Sequence, residues 1–595
     1  MNFSRLADYF SKLENTASRN EKTVILARLF KEARPDEIDK ICYLALGRLG
    51  PRHLGIEFNL AEKLMIRILG RAYHQKESQV GKVYGRLGDL GSIAFELDKK
   101  AAGQSLTVDQ VFNSLLRIAQ DHGQGSVERK VSGLVAVLKK LDGQSAKYIV
   151  RITLGKLRLG FSDQTILDSL SWFLAGNKNL KPKIEAAYNV RADVGFIAQV
   201  AKLDGLAGLG EVGISLGTPV VLALCQRLPD AGEMIKHMCR PGSKDRVAVE
   251  PKWDGTRLEI HFSRQKQEKS VRDQGLFSEE TKGFVRIFTR NLENVAGMFP
   301  DLALASFEEL KAQEVILDGE AIGYDPGSGK LLPFQETIKR KRKHAIKQTI
   351  RKIPMRYFCF DVLYKDGQNL LKAPFAQRRK ILESIVEGKN RTFLLAPQII
   401  TNDPVDLKSF HQQQLKAGLE GAVVKKWQAA YDPGRRGYTW VKFKQEKGKK
   451  GGGLADTIDG VVMGFYRGRG KRADFGIGMI LVGICQKISS GLITSLTKVG
   501  TGPSDEQWQE MRRRGEKAAV KEKPINYQVD KNLWPDVWCA PEILVEIEAD
   551  NITKSPIHTS GYALRFPRWL RFRDDKSVSQ VTTLAEIKKL YRLQK

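Results

Sequence analysis

The stretch VEPKWDGTRLEI, residues 249–260, places one lysine between an alternating apolar run and a tight turn. Lys252 stands directly before Trp-Asp-Gly, with Glu250 two residues upstream and Arg257 five residues downstream. Such a lysine is either a surface charge beside a hairpin or a reactive amine at the mouth of a site. The pattern KxDGxR is short, and in a basic chain it arises by chance about as often as for function. The surrounding sequence has to decide between these two interpretations.

The sequence around this stretch alternates with the period of a β-strand. In RLEIHF the apolar residues share one face, and Glu259 and His261 share the other. Further strand-like runs are EVILDGEAIGYD, MRYFCFDVLY, EGAVVKKW and YTWVKFKQE. Between them, KAPFAQRRKILESIV has helical spacing. Pro251 cannot donate a backbone hydrogen bond, so we expect its strand to be an edge or irregular there. The pattern predicts an α+β domain over residues 227–447.

The flanking regions have different patterns. Residues 1–226 carry apolar residues at three- and four-residue spacing, which predicts an all-α domain. Within it, SAKYIVRITLGKLRLGFSDQTILDSLSWFL places Arg151, Lys156 and Arg158 on helices, either as phosphate contacts or as a solvated face. KGKKGGG, residues 447–453, is typical of a flexible basic hinge. The short strands DGVVMGFY, GMILVGICQ and EILVEIEA then predict a C-terminal β-barrel of the OB type over residues 448–595.

Charge and composition favour a polyanionic partner. The 595 residues include 98 Lys and Arg against 68 Asp and Glu, a formal net charge of +30, which suits nucleic acid, ribosomes or acidic membranes. The six cysteines form no CxxC pattern, so disulfides and structural zinc are not predicted. HExxH does not occur, which removes the basis for a metalloprotease. The longest apolar run, residues 479–485, is too short to span a bilayer.

The motifs after Lys252 supply the side chains that a nucleotide site needs. Several cations would hold phosphates, two carboxylates would hold Mg²⁺, and an aromatic ring would stack on a base. An amine among other cations has a lowered pKa, as a lysine nucleophile requires. These side chains are Arg290, Glu320, Phe360, Glu420, Lys425, Lys442 and Lys444. The set predicts attack of Lys252 on the α-phosphate of a nucleotide.

In this order, the motifs resemble those of the ATP-dependent DNA ligases of the archaeal and eukaryotic replicative type. RFPRWLRFRDDK, residues 565–576, resembles the C-terminal motif of that family, and YIVRITLGKLRLG resembles part of its DNA-binding domain. The resemblance covers essentially the whole chain. It implies a multidomain fold: a helical DNA-binding domain over 1–226, an α+β adenylation (nucleotidyltransferase) domain over 227–447 and an OB-fold domain over 448–595.

The resemblance also implies a role for each matched residue. Lys252 is the catalytic residue, which carries AMP covalently after reaction with ATP. Glu250 reads the adenine amino group and Phe360 stacks on the base. Contacts with the ribose, the phosphates or the nick are expected from Arg257, Arg290, Glu320, Arg436, Lys442 and Lys444. Glu320 and Glu420 are expected to bind Mg²⁺. Arg573 and Lys576, together with Asp575, are expected to close over ATP.

The implied reaction joins the 3′-hydroxyl and 5′-phosphate ends of a nick in double-stranded DNA, as in replication, repair and recombination. The expected partners are nicked duplex DNA and a sliding clamp, and the expected protein is a monomer, away from membranes, in a prokaryotic cytoplasm. The OB domain is expected to swing about residues 447–453 between steps.

Three alternatives compete with this interpretation. An RNA ligase or an mRNA-capping guanylyltransferase shares the lysine chemistry, but the large helical domain and the RxDK ending disfavour both. An NAD-dependent ligase is disfavoured because no zinc-binding cysteine cluster occurs. A basic DNA-binding scaffold with a decayed site is disfavoured because every expected reactive position holds a competent residue.

Overall fold

A computed structural model of the chain describes residues 1–16, 18–98, 103–265, 283–340, 346–386, 391–434, 436–444, 454, 456–468, 476–487 and 490–593. The chain divides into two compact units. The first unit comprises Met1–Gln226, Lys236–Asn402 and Val424–Val441, and the second comprises Arg227–Ile235, Asp403–Val423 and Lys442–Lys595. This division does not test the predicted boundaries at residues 226 and 447, which stay predictions.

The N-terminal part of the first unit is helical, as predicted. The helices are α1 (Phe3–Glu14), α2 (Arg19–Glu32), α3 (Ile38–Ala45), α4 (Glu62–Ala72), α5 (Glu77–Leu87), α6 (Leu90–Leu97), α7 (Val108–Ala119), α8 (Ser126–Leu138), α9 (Gly143–Thr153), α10 (Asp163–Ala175), α11 (Lys181–Val190), α12 (Val194–Leu203) and α13 (Gly205–Gly210). Side chains of Asp89, Thr107 and Asp142 cap the starts of α6, α7 and α9 by accepting backbone N–H groups that would otherwise lack partners. The apolar faces of these helices pack into one core.

The middle of the chain alternates strands and helices. In order they are β1 (Leu224–Arg227), α14 (Ala231–Met238), β2 (Val247–Pro251), β3 (Thr256–Ser263), β4 (Phe284–Thr289), α15 (Pro300–Glu309), β5 (Glu314–Gly323), α16 (Phe334–Thr337), α17 (Ile346–Lys352), β6 (Met355–Lys365), β7 (Gln368–Asn369), α18 (Phe375–Val386), β8 (Phe393–Leu395), β9 (Ile399–Thr401), α19 (Pro404–Lys416), β10 (Gly421–Lys426) and β11 (Arg436–Lys444). The predicted strands and the helix of KAPFAQRRKILESIV are therefore confirmed.

Two sheets share this region, and the segment with Lys252 leads from one to the other. The first has the strand order β1-β11-β10-β2-β9, and the second has the order β4-β3-β5-β6-β7 with β8 paired to β6. In the second sheet β3 is antiparallel to β5, with Arg257 opposite Glu320. Because β2 ends at Pro251 and β3 begins at Thr256, residues 252–255 connect the two sheets.

Pro251 occupies an irregular strand end rather than a sheet edge. β2 lies between β10 and β9, so it is an interior strand. Its ladder with β9 covers only residues 247–249, and Pro251 is its last residue. A proline is tolerated there because the ladder no longer needs its missing N–H group.

The polar face of β3 is buried. The side chains of Glu259 and His261 are 1% and 0% exposed. The Val220 N–H donates to Glu259 Oε1 at 3.0 Å, and the Gly217 N–H donates to His261 Nδ1 at 3.0 Å. Because Nδ1 accepts, the imidazole is neutral and its Nε2–H donates to Glu259 Oε1 at 2.5 Å. The chain that follows the helical region thus covers a face that alternation alone marks as exposed.

The second unit is rich in β-strands. Its C-terminal elements are β12 (Ile458–Arg467), β13 (Ile477–Cys485), β14 (Ile493–Val499), α20 (Asp505–Lys517), β15 (Ala519–Val520), β16 (Tyr527–Gln528), β17 (Val537–Cys539), β18 (Leu544–Glu548), β19 (Asn551–Lys554), β20 (Tyr562–Arg565), β21 (Arg568–Phe572) and α21 (Leu584–Leu593). The sheet order is β15-β17-β12-β13-β14-β16, and β18 joins β12 to β21. A bulge between Val462 and Gly464 in β12 bends the sheet. This region is the predicted β-rich domain, in keeping with an OB-type barrel.

Two further expectations concern cysteines and membranes. All six cysteines are free thiols, and four of them are buried. Within the described ranges, no helix combines the length and the apolar character that crossing a bilayer demands.

Candidate active site

Lys252 lies in a turn that two neighbours hold in place. The Trp253 ring stacks on Phe358 of β6, with 3.9 Å between ring centroids and 18° between planes. On the other side, Gly255 lies so close to β5 that a Cβ there would be 2.5 Å from the Ala321 carbonyl oxygen. Only glycine permits this approach, which agrees with the prediction that Gly255 shapes the turn. The turn is therefore fixed against β5 and β6.

The Glu320 carboxyl group lies beside this turn. The Gly255 backbone lies close enough to act on its pKa, in the direction that lowers it. Burial raises the pKa of Glu320 to about 8, although Lys252 and Arg257 both act to lower it. Lys252 and Glu320 are therefore within electrostatic range of each other. The predicted lowering of the Lys252 pKa by neighbouring cations stays a prediction.

Glu250 and Phe360, the two predicted adenine contacts, share one buried cation. Glu250 is 3% exposed, and its Oε2 lies 2.7 Å from the Nζ of Lys425. The other oxygen, Oε1, is buried and has no hydrogen-bond partner among the described residues. Lys425 Nζ also donates to the Phe360 carbonyl oxygen at 2.9 Å. Phe360 is at the same time a core residue, 8% exposed and packed at 74° to Trp440.

Arg257 is largely committed to the protein itself. Its Nε and Nη2 donate to Asp318 at 3.0 and 2.6 Å, and its Nη1 donates to the Ala223 carbonyl oxygen at 2.7 Å. Asp318 is fully buried and also accepts from the Tyr431 hydroxyl at 2.8 Å. An arginine has five N–H groups, so the predicted contact with AMP or the nick has to use the two that remain. The pair ties β3 to β5 and to the chain before β1.

Arg290 is the exposed cation of this set. It lies in a turn directly after β4 rather than inside an extended stretch. Among the described residues it has neither a hydrogen-bond partner nor an ion-pair partner. Its guanidinium is therefore available for an anionic ligand.

The predicted residues of the second unit form ion pairs with each other. Lys444 Nζ lies 3.0 Å from Glu420 Oε2, and Arg565 lies 4.0 Å from Glu420 Oε1. Lys442 is half-buried and lies two residues before Lys444 on β11, so both point to one face. Arg436 begins β11, but its side chain is outside the described part of the structure. Glu420 is thus already neutralised by cations, so a metal ion there must compete with Lys444.

The C-terminal motif is held by an acidic residue that the sequence analysis missed. Asp459 of β12 accepts from Arg573 at 2.7 Å and from Lys576 at 2.6 Å. Arg573 also pairs with Asp575 at 2.8 Å, which lowers the pKa of Asp575 to about 2. Asp459 therefore brings Arg573 and Lys576 together and neutralises them in this conformation.

The described residues include neither a complete set of metal ligands nor the predicted hinge. Within the described ranges, no cluster of three or more His, Cys, Asp or Glu side chains could hold a metal ion. Glu320 belongs to the first unit and Glu420 to the second. The predicted hinge, residues 447–453, lies outside the described residues.

Sequence patterns carried a signal for some of the missed residues. Asp318 in VILDG and Asp459 in IDGVVMGFY are charges inside otherwise apolar strands. A charge in a buried strand needs a partner, so each could have been marked as one half of an ion pair. No comparable signal identifies Tyr431, or the pairing of Lys425 with Glu250, because these contacts join segments that are distant in sequence.

One basic residue of the helical region has an internal role. Arg151 is 5% exposed at its side chain; its Nη2 lies 2.5 Å from Asp89 and its Nη1 lies 3.0 Å from Glu14. Asp89 in turn caps α6. Arg151 therefore joins α9, α6 and α1 instead of facing a polyanion, and Lys156 is paired with Glu62.

Family comparisons agree with this arrangement along the chain. Residues 2–171 match the family model "DNA ligase N terminus", residues 223–444 match "ATP dependent DNA ligase domain", and residues 473–576 match "ATP dependent DNA ligase C terminal region". A probable DNA ligase from Dictyoglomus thermophilum is 40% identical over 604 residues, which covers 100% of this chain and 98% of the relative. DNA ligase 2 of Thermofilum pendens and the DNA ligase of Aeropyrum pernix are each 35% identical with the same coverage.

The chain belongs to the family of ATP-dependent DNA ligases. A solved structure named Pmar-Lig_PreS3 superimposes with a TM-score of 0.52 at 16% identity, over 96% of this chain and 99% of that chain, and supports the fold alone. The predicted family, fold class and enzyme class are confirmed.

Proposed function

We propose that this protein seals nicks in double-stranded DNA with ATP, and that Lys252 carries AMP during the reaction. The Lys252 amine attacks the α-phosphorus of ATP, so that an N–P bond forms and pyrophosphate leaves. AMP then passes to the 5′-phosphate at the nick. The 3′-hydroxyl attacks that 5′-phosphorus and displaces AMP. Each step is a displacement at phosphorus, in which positioning and charge neutralisation carry the catalysis.

The observation that carries the proposal is the placement of Lys252. Its turn is fixed by the stacked Trp253 and by the close approach of Gly255 to β5. A nucleophile has to lie within about 3–3.5 Å of the atom it attacks. A turn with so little freedom is suited to this requirement, whereas a lysine that serves only as a surface charge has no need for it.

The adenine is assigned to Glu250 and Phe360. Glu250 Oε1 is a buried acceptor with no partner among the described residues, and leaving such an oxygen unpaired costs about 1–3 kcal/mol. The adenine amino group offers the missing donor. Phe360, at 8% exposure, supplies an aromatic surface for the base. These features fit ATP as the nucleotide.

The metal is assigned to Glu320 and Glu420. Mg²⁺ prefers oxygen ligands and is usually held by one or two carboxylates together with water and phosphate oxygens. A site with two protein carboxylates is therefore compatible with the absence of a three-residue cluster from the described ranges. Bound Mg²⁺ would neutralise phosphate charge. Glu320 has to lose its proton for this role because burial raises its pKa to about 8.

The remaining cations are assigned to phosphates. Arg290 and the remaining N–H groups of Arg257 are proposed for the AMP or the 5′-phosphate at the nick. Lys442, Lys444 and Arg436 of β11 are proposed for the nucleotide phosphates. Arg573 and Lys576 are proposed to leave Asp459 and act on the pyrophosphate that departs.

The proposed domains, partners and location follow from this reaction. We assign DNA binding to residues 1–226, adenylation to 227–447 and the mobile OB domain to 448–595. A net charge of +30 supports a nucleic-acid substrate. The sliding clamp, the monomeric state and the prokaryotic cytoplasm stay predictions.

A labelling experiment tests the proposal. Purified protein, first stripped of bound AMP with pyrophosphate, is mixed with Mg²⁺ and ATP labelled at the α-phosphate, then chased with nicked duplex DNA. Label is expected to remain on the chain in a denaturing gel and to leave it as the nick is sealed. Lys252→Ala should lose the label completely because the amine is the acceptor.

The matched control is Lys244→Ala, an exposed lysine just before β2. It should label as the unmodified chain does. Label that nicked DNA fails to release but RNA ends discharge would move the substrate to RNA. Labelling of Lys252→Ala at the normal rate, or labelling only by GTP, would contradict the proposal.

A further inference from the structure

Lys425 is a buried charge within the nucleotide site. It lies on β10, and its side chain is 1% exposed. A lysine is almost never buried to this extent unless its ammonium group is paired. Its position between the two proposed adenine contacts suggests more than a role in stability.

Contacts on several sides fix the ammonium group. It lies 2.7 Å from Glu250 Oε2 of β2 and 2.9 Å from the Phe360 carbonyl oxygen of β6. The rings of Phe360, Phe375 and Trp440 lie 4.7, 4.6 and 4.3 Å from Nζ. These distances are typical of cation–π contacts. Lys425 therefore has little freedom to release Glu250.

As a result, the two oxygens of the Glu250 carboxylate differ in their hydrogen-bond partners. Oε2 is taken by Lys425, while Oε1 is buried and has no partner among the described residues. An ionised carboxylate can only accept hydrogen bonds, whereas a protonated one also donates. The ionisation of Glu250 therefore decides which ligand group can lie against Oε1.

We infer that Lys425 is a positioning residue that sets the base specificity of this site. By holding Glu250 as an acceptor, it makes the site select a purine with a 6-amino group and reject a purine with a 6-oxo group. The inference rests on the proposed function, since it concerns the same nucleotide site, and it names a determinant of substrate choice. Adenine donates from its 6-amino group, while hypoxanthine and guanine present an oxygen there that the carboxylate repels.

Loss of the lysine should change the chemistry of Glu250. Burial raises the pKa of Glu250, and Lys425 opposes that shift most strongly. The other charged groups acting on it are Arg379 of α18, which also lowers the pKa, and Asp361 of β6, which raises it. Without Lys425 the carboxyl group should be protonated near neutral pH. Its hydroxyl can then donate to a 6-oxo group.

The test compares ATP with ITP, which differ at the purine 6-position. Second-order rate constants for self-adenylation are measured for the unmodified chain, Lys425→Met and the neighbouring control Lys426→Met. A site built to bond a polar group discriminates by on the order of 10⁴, so the unmodified chain and the control should strongly prefer ATP. In Lys425→Met the preference should fall below about tenfold at pH 7 and rise again with pH as Glu250 ionises.

Folding is checked by sealing a nick whose 5′ end already carries AMP, because that step needs no ATP. If Lys425→Met seals such DNA yet keeps the full preference for ATP, the inference is overturned. If Lys425→Met fails to seal, Glu250→Gln is measured instead. The amide introduced by Glu250→Gln both donates and accepts, so the preference of this variant for ATP over ITP should also collapse. An intact preference for ATP in Glu250→Gln overturns the inference. An unmodified chain that labels with ATP and ITP equally also overturns it. An unmodified chain that labels with neither defeats the proposed function itself.

Discussion

Gly255→Ala is the smallest change that should displace the Lys252 turn. The new Cβ would lie 2.5 Å from the Ala321 carbonyl oxygen, 2.6 Å from Ile322 Cγ1 and 3.0 Å from Glu320 Cγ. Ordinary contact begins at 3.4 Å, so the turn or β5 has to move by about 0.9 Å at the closest atom. The neighbour at that point is backbone in the middle of a sheet, so the turn is the part expected to move.

A displacement of this size should be visible in the rate of adenylation. Moving a reacting group by about 1 Å can cost on the order of 10²-fold in rate. Overpacking of this kind also costs about 1–3 kcal/mol of stability. The assay is single-turnover labelling with α-labelled ATP at saturating concentration, combined with a thermal melt to separate slow chemistry from unfolding.

Gly297→Ala is the matched control, because a Cβ there meets nothing within 4 Å. It should label at the normal rate. A folded Gly255→Ala protein that is adenylated within about threefold of the normal rate would contradict this expectation. In that case the fixed turn would not position the nucleophile.

Other substitutions probe the charges around the site. Asp318→Asn leaves the Arg257 guanidinium without its counter-charge, so the free energy of unfolding should fall by about 3–5 kcal/mol; a loss below about 1 kcal/mol in urea titration contradicts the assigned pair. Burial lowers the pKa of His261 to about 3, against about 6.5 in an unfolded chain. The unfolded chain therefore binds more protons as pH falls from 7 to 5, and this side chain should cost about 1–2 kcal/mol of stability over that interval. His261→Gln should flatten that slope, and an unchanged slope counts against the assignment. Arg573→Gln and Lys576→Gln should each slow self-adenylation by about 10- to 100-fold. The rate of sealing pre-adenylated nicks should stay within about threefold of normal. Equal losses in both assays would argue against a role at the pyrophosphate.

Features encoded within one element were predictable from the sequence. Leu6, Tyr9, Phe10 and Leu13 share the buried face of α1 because their spacing matches the helical period. The strands β5 and β6 follow from runs of apolar and β-branched residues in the same way. The order of the motifs, together with the resemblance, was enough to identify the family.

Features that need two distant segments were not predictable in this way. The polar face of β3 looks solvated by alternation, but the chain around Val220 covers it, and Glu259 satisfies a backbone N–H there. The pairing of Lys425 with Glu250 depends on the strand order β10-β2, which one-dimensional periodicity does not contain. The close approach of Gly255 to Ala321 likewise depends on how β3 and β5 align.

Identifying the residue that carries AMP shows directly whether Lys252 is the nucleophile. The chain is incubated with ATP and Mg²⁺, digested, and the peptides are sequenced by mass spectrometry. AMP is expected on Lys252 alone, and the adduct should be lost when nicked duplex DNA is added. AMP on another lysine, or an adduct on Lys252 that nicked DNA leaves unchanged while the nick is sealed, would contradict it.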